Sequence, residues 1–198
     1  MQADAEVPSL RRTVACVALL NLSYFGVEFA VALAIGSVSL FADSIDFLED
    51  AAVNTLILLA LGLGLQARAR VGLVLAALLL VPGLATLWMA WLKFHSLAAP
   101  DAVALTLAAG GALAVNLLCA AMLARVRHSG GSLTKAAFLS ARNDALANVA
   151  IIGAGWATLV TASGWPDLLV GLAIAALNAG AAHEVWEAAR QEQRDARA

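Results

Sequence analysis

SVSLFADSIDFLEDAAVN, residues 37–54, sets four carboxylates, Asp43, Asp46, Glu49 and Asp50, between flanks that are almost wholly apolar. The fold follows from what solvent surrounds this stretch. The chain has 198 residues, 62% of them hydrophobic and only 13% charged, with a mean hydropathy of +0.86. A soluble domain carries roughly a quarter charged residues. A chain of this length cannot hide so much apolar surface from water, because small domains keep much of their area exposed. Its apolar residues also come in long blocks rather than amphipathic stripes. Most of the chain therefore belongs in lipid.

Six blocks reach the roughly 20 residues that a bilayer core requires. They run from Val14 to Ile35, Val38 to Leu65, Val71 to Leu92, Ala102 to Leu123, Leu133 to Ala162 and Leu168 to Trp186. The long second and fifth blocks are expected to include water-exposed turns. Gly36-Ser37, Pro100-Asp101, Ser129 to Ser132 and Ser163 to Pro166 punctuate the blocks. The first block is too long for a cleaved leader and reads as a retained helix. The expected fold class is an all-α membrane protein: residues 1–198 as one six-helix transmembrane unit, without a C-terminal cytoplasmic domain.

With the N-terminus inside, ten of the twelve Lys and Arg residues fall on the inner side, Lys93 falls outside, and Arg142 lies within the fifth block. This is the bias of the positive-inside rule for a chain with both ends cytoplasmic. The expected location is a prokaryotic cytoplasmic membrane, crossed several times. Trp88, Trp91 and Trp165 fall near the outer face and Trp186 near the inner one, as interfacial anchors or as ordinary packing. No basic run suggests nucleic acid, and Cys16 and Cys119 read as core residues.

On a helix, Asp43, Asp46 and Asp50 fall within roughly a 60° arc, which Asn54 extends, while Glu49 lies to one side. A charge at the centre of an inserted helix costs about 2.5–3.5 kcal/mol, so four bare carboxylates cost on the order of 10 kcal/mol. They must face a hydrated space, be partly protonated, or hold a cation. Asp46 and Asp50, one turn apart and well below the surface, carry the strongest claim to one common object. Asp43 reads equally as a solvated or capping residue, and Glu49 as a structural partner of a neighbouring polar group.

The stretch SARNDALANVA, residues 140–150, supplies a second polar face of Ser140, Asp144 and Asn148. Asp144 reads as a third ligand or as half of an intramembrane ion pair. Arg142 lies about 200° around the helix from it, and is expected to snorkel or to pair with a carboxylate elsewhere. Glu28 and Asn21 add polarity to the first block. Glu28 reads as a proton carrier, an outer partner of the site, or a partner for Arg142. His95, Asp101, His128 and His183 read as loop or interfacial residues.

With these residues, SVSLFADSIDFLED before and within the second helix and DALANVAIIGAG in the fifth, the sequence resembles the cation diffusion facilitator family of divalent-metal/proton antiporters. The resemblance places the helix-two pair on Asp46 and Asp50 and the helix-five acid on Asp144. Ser140 stands where the family carries a His, and the cytoplasmic domain that commonly follows the sixth helix is missing. It implies an exporter whose cargo is a divalent cation such as Zn²⁺, Mn²⁺, Fe²⁺ or Co²⁺, with protons as the counter-substrate and no prosthetic group. A carboxylate-rich site without the His leans toward harder ions. Metal ligands are expected at Asp46, Asp50 and Asp144, with Ser140, Glu49, Asp43, Asn148 and Glu28 as further candidates. A homodimer is a candidate assembly. The alternative is a non-transporting metal sensor or accessory subunit of the same fold. No protease, nucleophile-elbow or phosphate-loop motif points to an enzyme.

Overall fold

The structure is a computed structural model that describes residues 3–60, 84–126 and 131–178. All the regular structure among them is helical: α1 (Ala3–Ile35), α2 (Val38–Ala60), α3 (84–96), α4 (Ala102–Val126), α5 (Gly131–Thr161) and α6 (Trp165–Asn178). Three spans, Leu10–Ile35, Ala102–Val126 and Ala137–Thr161, are long and apolar enough to cross a membrane. The expected inner parts of the second, third and sixth blocks, with His128, His183 and Trp186, lie outside the described residues.

The fifth block forms a single uninterrupted helix of 31 residues, and its Ser140 and Asn148 have hydrogen-bond partners within the bundle. The described part of the second block is likewise continuous from Val38 to Ala60.

Helices α1, α2, α5 and α4 close a four-membered ring, each packed against the next, with α2 and α4 barely touching across it. The ring is inverted relative to a soluble bundle. Leu19, Leu22 and Val27 of α1, Leu107 and Leu117 of α4, and Leu146, Val149 and Val160 of α5 are exposed, whereas Asn21, Glu28, Asp43 and Asn54 are fully buried. In lipid this distribution has the lower energy, because apolar side chains lose nothing outside and polar ones need partners inside.

Two apolar clusters bracket that polar interior. One gathers Leu10, Val14, Val17, Ile57, Leu123 and Ala137. The other gathers Ala32, Leu40, Phe41, Ile45, Leu105 and Ile151 at the end nearer Gly36.

The connections α1–α2, α3–α4 and α5–α6 meet at that same end. Gly36 takes φ +63° and lets the Ser37 N–H reach the Ala32 carbonyl at 3.0 Å, closing α1 with a left-handed C-cap. The Lys93 ammonium then donates to the Gly36 carbonyl at 2.6 Å, and the Gly164 N–H donates to the Leu97 carbonyl at 3.2 Å. Asp101 caps α4 through the Val103 and Ala104 N–H groups, both at 2.9 Å. Gly171 brings α6 against the first turn of α2, where a Cβ would lie 2.7 Å from a Val38 methyl and 2.8 Å from the Ser39 nitrogen.

Candidate cation site

The acidic stripe of α2 turns inward. Asp43, Asp46, Asp50 and Asn54 are all buried, and Glu49 is half-buried to one side, as the helical arc requires. Across the ring, α5 presents Ser140, Asp144 and Asn148 on the face that meets α2. Because α5 runs antiparallel to α2, the polar residues pair off in layers about one helical turn apart.

The layer farthest from Gly36 centres on Asp50. Its Oδ1 accepts from the Ser140 hydroxyl at 2.9 Å and its Oδ2 from the Asn21 amide at 3.4 Å. The Asn21 carbonyl oxygen in turn accepts from the Cys119 thiol at 3.5 Å. The middle layer holds Asp46 and Asp144, near enough for their charges to act on one another, and Asp46 accepts from the Asn178 amide of α6. The layer nearest Gly36 holds Glu28 of α1, Asp43 of α2 and Asn148 of α5. Helices α1, α2, α5 and α6 thus supply a polar column between the two apolar clusters.

The structure therefore brings Asp46, Asp50, Asp144 and Ser140 into one interior, with Glu49 beside Asp50 at its edge. It does not bring them to ligation geometry. Among the described residues no three His, Cys, Asp or Glu side chains come together as a metal-holding group. The physical reason is visible in the bonding, since Asp50 and Asp46 are each engaged by neutral donors of the protein.

One reading is corrected and another narrowed. Asp43 is not a solvated or capping residue: it is fully buried, more than one turn inside α2, with Glu28 and Asn148 as its polar neighbours. The cap of α2 is made by others. Of the two readings of Arg142, pairing with a carboxylate is not seen among the described residues: it is exposed on the outside of α5, as snorkelling requires, and donates to Asn143 at 3.3 Å. Glu28 accordingly faces Asp43, not Arg142.

Sequence reading missed two residues. Asp167, at the start of α6, accepts from the Val38 N–H at 2.9 Å, the Ser39 N–H at 3.1 Å and the hydroxyls of Ser37 and Ser39, each at 2.6 Å. Ser37 caps the third position of the same turn through the Leu40 N–H at 3.1 Å. The Ser-x-Ser pattern announces a helix start, but nothing local tells which distant carboxylate completes it. Asn178, the partner of Asp46, is a lone amide in an apolar helix, and that isolation was its signal.

A comparison with curated proteins finds no match for the chain. The family model for the cation efflux transmembrane domain, in contrast, matches residues 14–191 and so spans every described helix. The match covers most of the chain, and the chain belongs to the cation efflux transmembrane domain family.

Proposed function

We propose that this cation efflux domain exports a divalent metal in exchange for protons, with Asp46, Asp50 and Asp144 as the intramembrane ligands. The observation that carries the reading is the burial of Asp46 and Asp50 on one face of α2, where Ser140 of α5 reaches Asp50 and Asp144, one turn along α5 from Ser140, lies within electrostatic reach of the same face, inside a lipid-facing bundle. A divalent cation offsets the charge of two carboxylates, so the site is stable when loaded or when protonated and unstable when bare. Protons arriving from the far side displace the metal, and the neutral carboxyls then return without carrying bare charge through lipid.

In this scheme the cargo exchanges places with the protein's own donors. Ser140 and Asn21 release Asp50, and Asn178 releases Asp46, as the cation enters. Those amides and the hydroxyl hold the empty carboxylates in position without competing as charges. The six helices cross a prokaryotic cytoplasmic membrane with both termini inside, in keeping with the Lys and Arg distribution. The all-oxygen donor set favours Mn²⁺ or Fe²⁺ over Zn²⁺.

The test is flux of a panel of divalent ions into liposomes holding the purified chain, under an imposed pH gradient. Movement of at least one ion that collapses when the gradient is removed is the expected result. Metal binding without flux under any gradient overturns the exporter and favours a membrane sensor of the same fold.

A further inference from the structure

Glu28, Asp43 and Asn148 stand about one helical turn closer to Gly36 than Asp46 and Asp144 do. Glu28 and Asp43 face each other between α1 and α2, and Asn148 of α5 adjoins Asp43. All three are fully buried. Among the described residues, both oxygens of Glu28, both oxygens of Asp43 and the amide oxygen of Asn148 find no hydrogen-bond donor outside their own group of three. The surrounding donors point elsewhere. Asn148 directs its NH₂ to the Asp144 carbonyl at 2.7 Å, the Tyr24 hydroxyl donates to the Ala108 carbonyl at 2.7 Å, and Ser44 donates to the Phe41 carbonyl at 2.7 Å.

Five enclosed oxygens with no outside donor are costly if left as they stand. The contrast with Asp46 and Asp50 is sharp, since those two carboxylates are each held by amides or a hydroxyl. A monovalent ion, or one proton shared between the two acids, leaves a net negative charge sealed in an apolar setting beside Phe41, Ile45 and Ile151. Two protons or one divalent cation cancel that charge, and the cation alone engages both carboxylates and the Asn148 oxygen at one point. The donor set, two carboxylates and an amide oxygen, is that of a hard cation.

We infer that Glu28, Asp43 and Asn148 form a second binding site for a hard divalent cation, separate from the Asp46–Asp50–Asp144 group. It lies on the same polar column, about 5 Å farther toward the Gly36 end, where a cation leaving the middle layer would next find oxygen ligands. The inference does not require Asp46, Asp50 and Asp144 to be the cargo ligands.

The experiment is calorimetric titration of Mn²⁺ into the full chain in lipid nanodiscs. The wild type is expected to bind two Mn²⁺ per chain, Glu28→Gln and Asp43→Asn one each, and the Asp46→Asn/Asp50→Asn double variant one. Helix content and elution volume report folding, and Glu28→Gln alone decides the matter should Asp43→Asn fail to fold. Unchanged stoichiometry in Glu28→Gln overturns the second site and leaves the pair neutralised by protons. Loss of all binding in the double variant overturns it as well. Two bound ions in the double variant together with one in Glu28→Gln sinks the proposed cargo ligands instead and leaves the second site standing.

Discussion

Asp167 binds the first turn of α2 from 128 residues away, taking the Val38 and Ser39 N–H groups on one carboxylate at 2.9 and 3.1 Å. With Ser37 on the Leu40 N–H, the first three amide protons of the acid-bearing helix are satisfied. The carboxylate also sits at the positive end of the helix dipole. Lys93 stands 4.0 Å from Asp167 while donating to the Gly36 carbonyl, so α1, α2, α3 and α6 share one knot. The depth and rotation of Asp46 and Asp50 depend on it.

Asp167→Ala leaves two backbone N–H groups and two hydroxyls without this acceptor, and a buried ammonium without its counter-charge though still bonded to the Gly36 carbonyl. We expect a loss of about 2–4 kcal/mol, since unpaired buried donors cost about 1–3 kcal/mol each and part of the loss relaxes. Thermal unfolding of the nanodisc-embedded variant measures it. A midpoint equal to wild type would show that the knot contributes nothing.

Gly171→Val forces two methyls into the contact between α6 and the start of α2, where even a Cβ lies under 3 Å from backbone. Overpacking of this kind costs about 1–3 kcal/mol. The displacement also draws Asn178 away from Asp46, so cation affinity should fall together with stability. A stability loss with unchanged affinity would separate α6 from the site.

Ser140→Ala removes the hydroxyl from Asp50 Oδ1 and should leave the preference among ions unaltered. Ser140→His introduces an imidazole at the same position and should raise zinc affinity relative to manganese by about tenfold or more, as nitrogen ligands suit zinc. Competition binding with the two ions reads the ratio. An unaltered ratio in Ser140→His would exclude position 140 from the cargo site.

Cation binding by carboxylates competes with protons. Raising the pH ionises Asp46, Asp50 and Asp144, so affinity should rise with pH and fall on acidification. Asp46→Asn should flatten that dependence and lower affinity at least about tenfold. Binding isotherms at several pH values check the sign, and stronger binding in acid would contradict carboxylate ligation.

Arg142→Gln serves as the converse case. The guanidinium is exposed and meets only Asn143, so cation affinity should stay within about twofold of wild type. A large change would mean that Arg142 reaches the carboxylates in another state of the bundle.

The sequence by itself determined the solvent, the helical class and the inward face of α2. A block composition this apolar has one low-energy environment, and the spacing of Asp43, Asp46, Asp50 and Asn54 fixes their common face whatever they pack against. Residues 140–148 were legible in the same way. The partner of Ser140 was not, because periodicity along α5 says nothing of which residue of α2 its polar face meets.

Only the tertiary structure decided who faces whom. Periodicity gives the direction of a side chain about its own helix axis and says nothing of the rotation and axial register of the next helix. Those are set by contacts such as Gly171 against Val38 and Asp167 against Ser39. That register places Ser140 on Asp50, Asn178 on Asp46 and Glu28 opposite Asp43. The acids were written in the sequence, and their partners were chosen by packing.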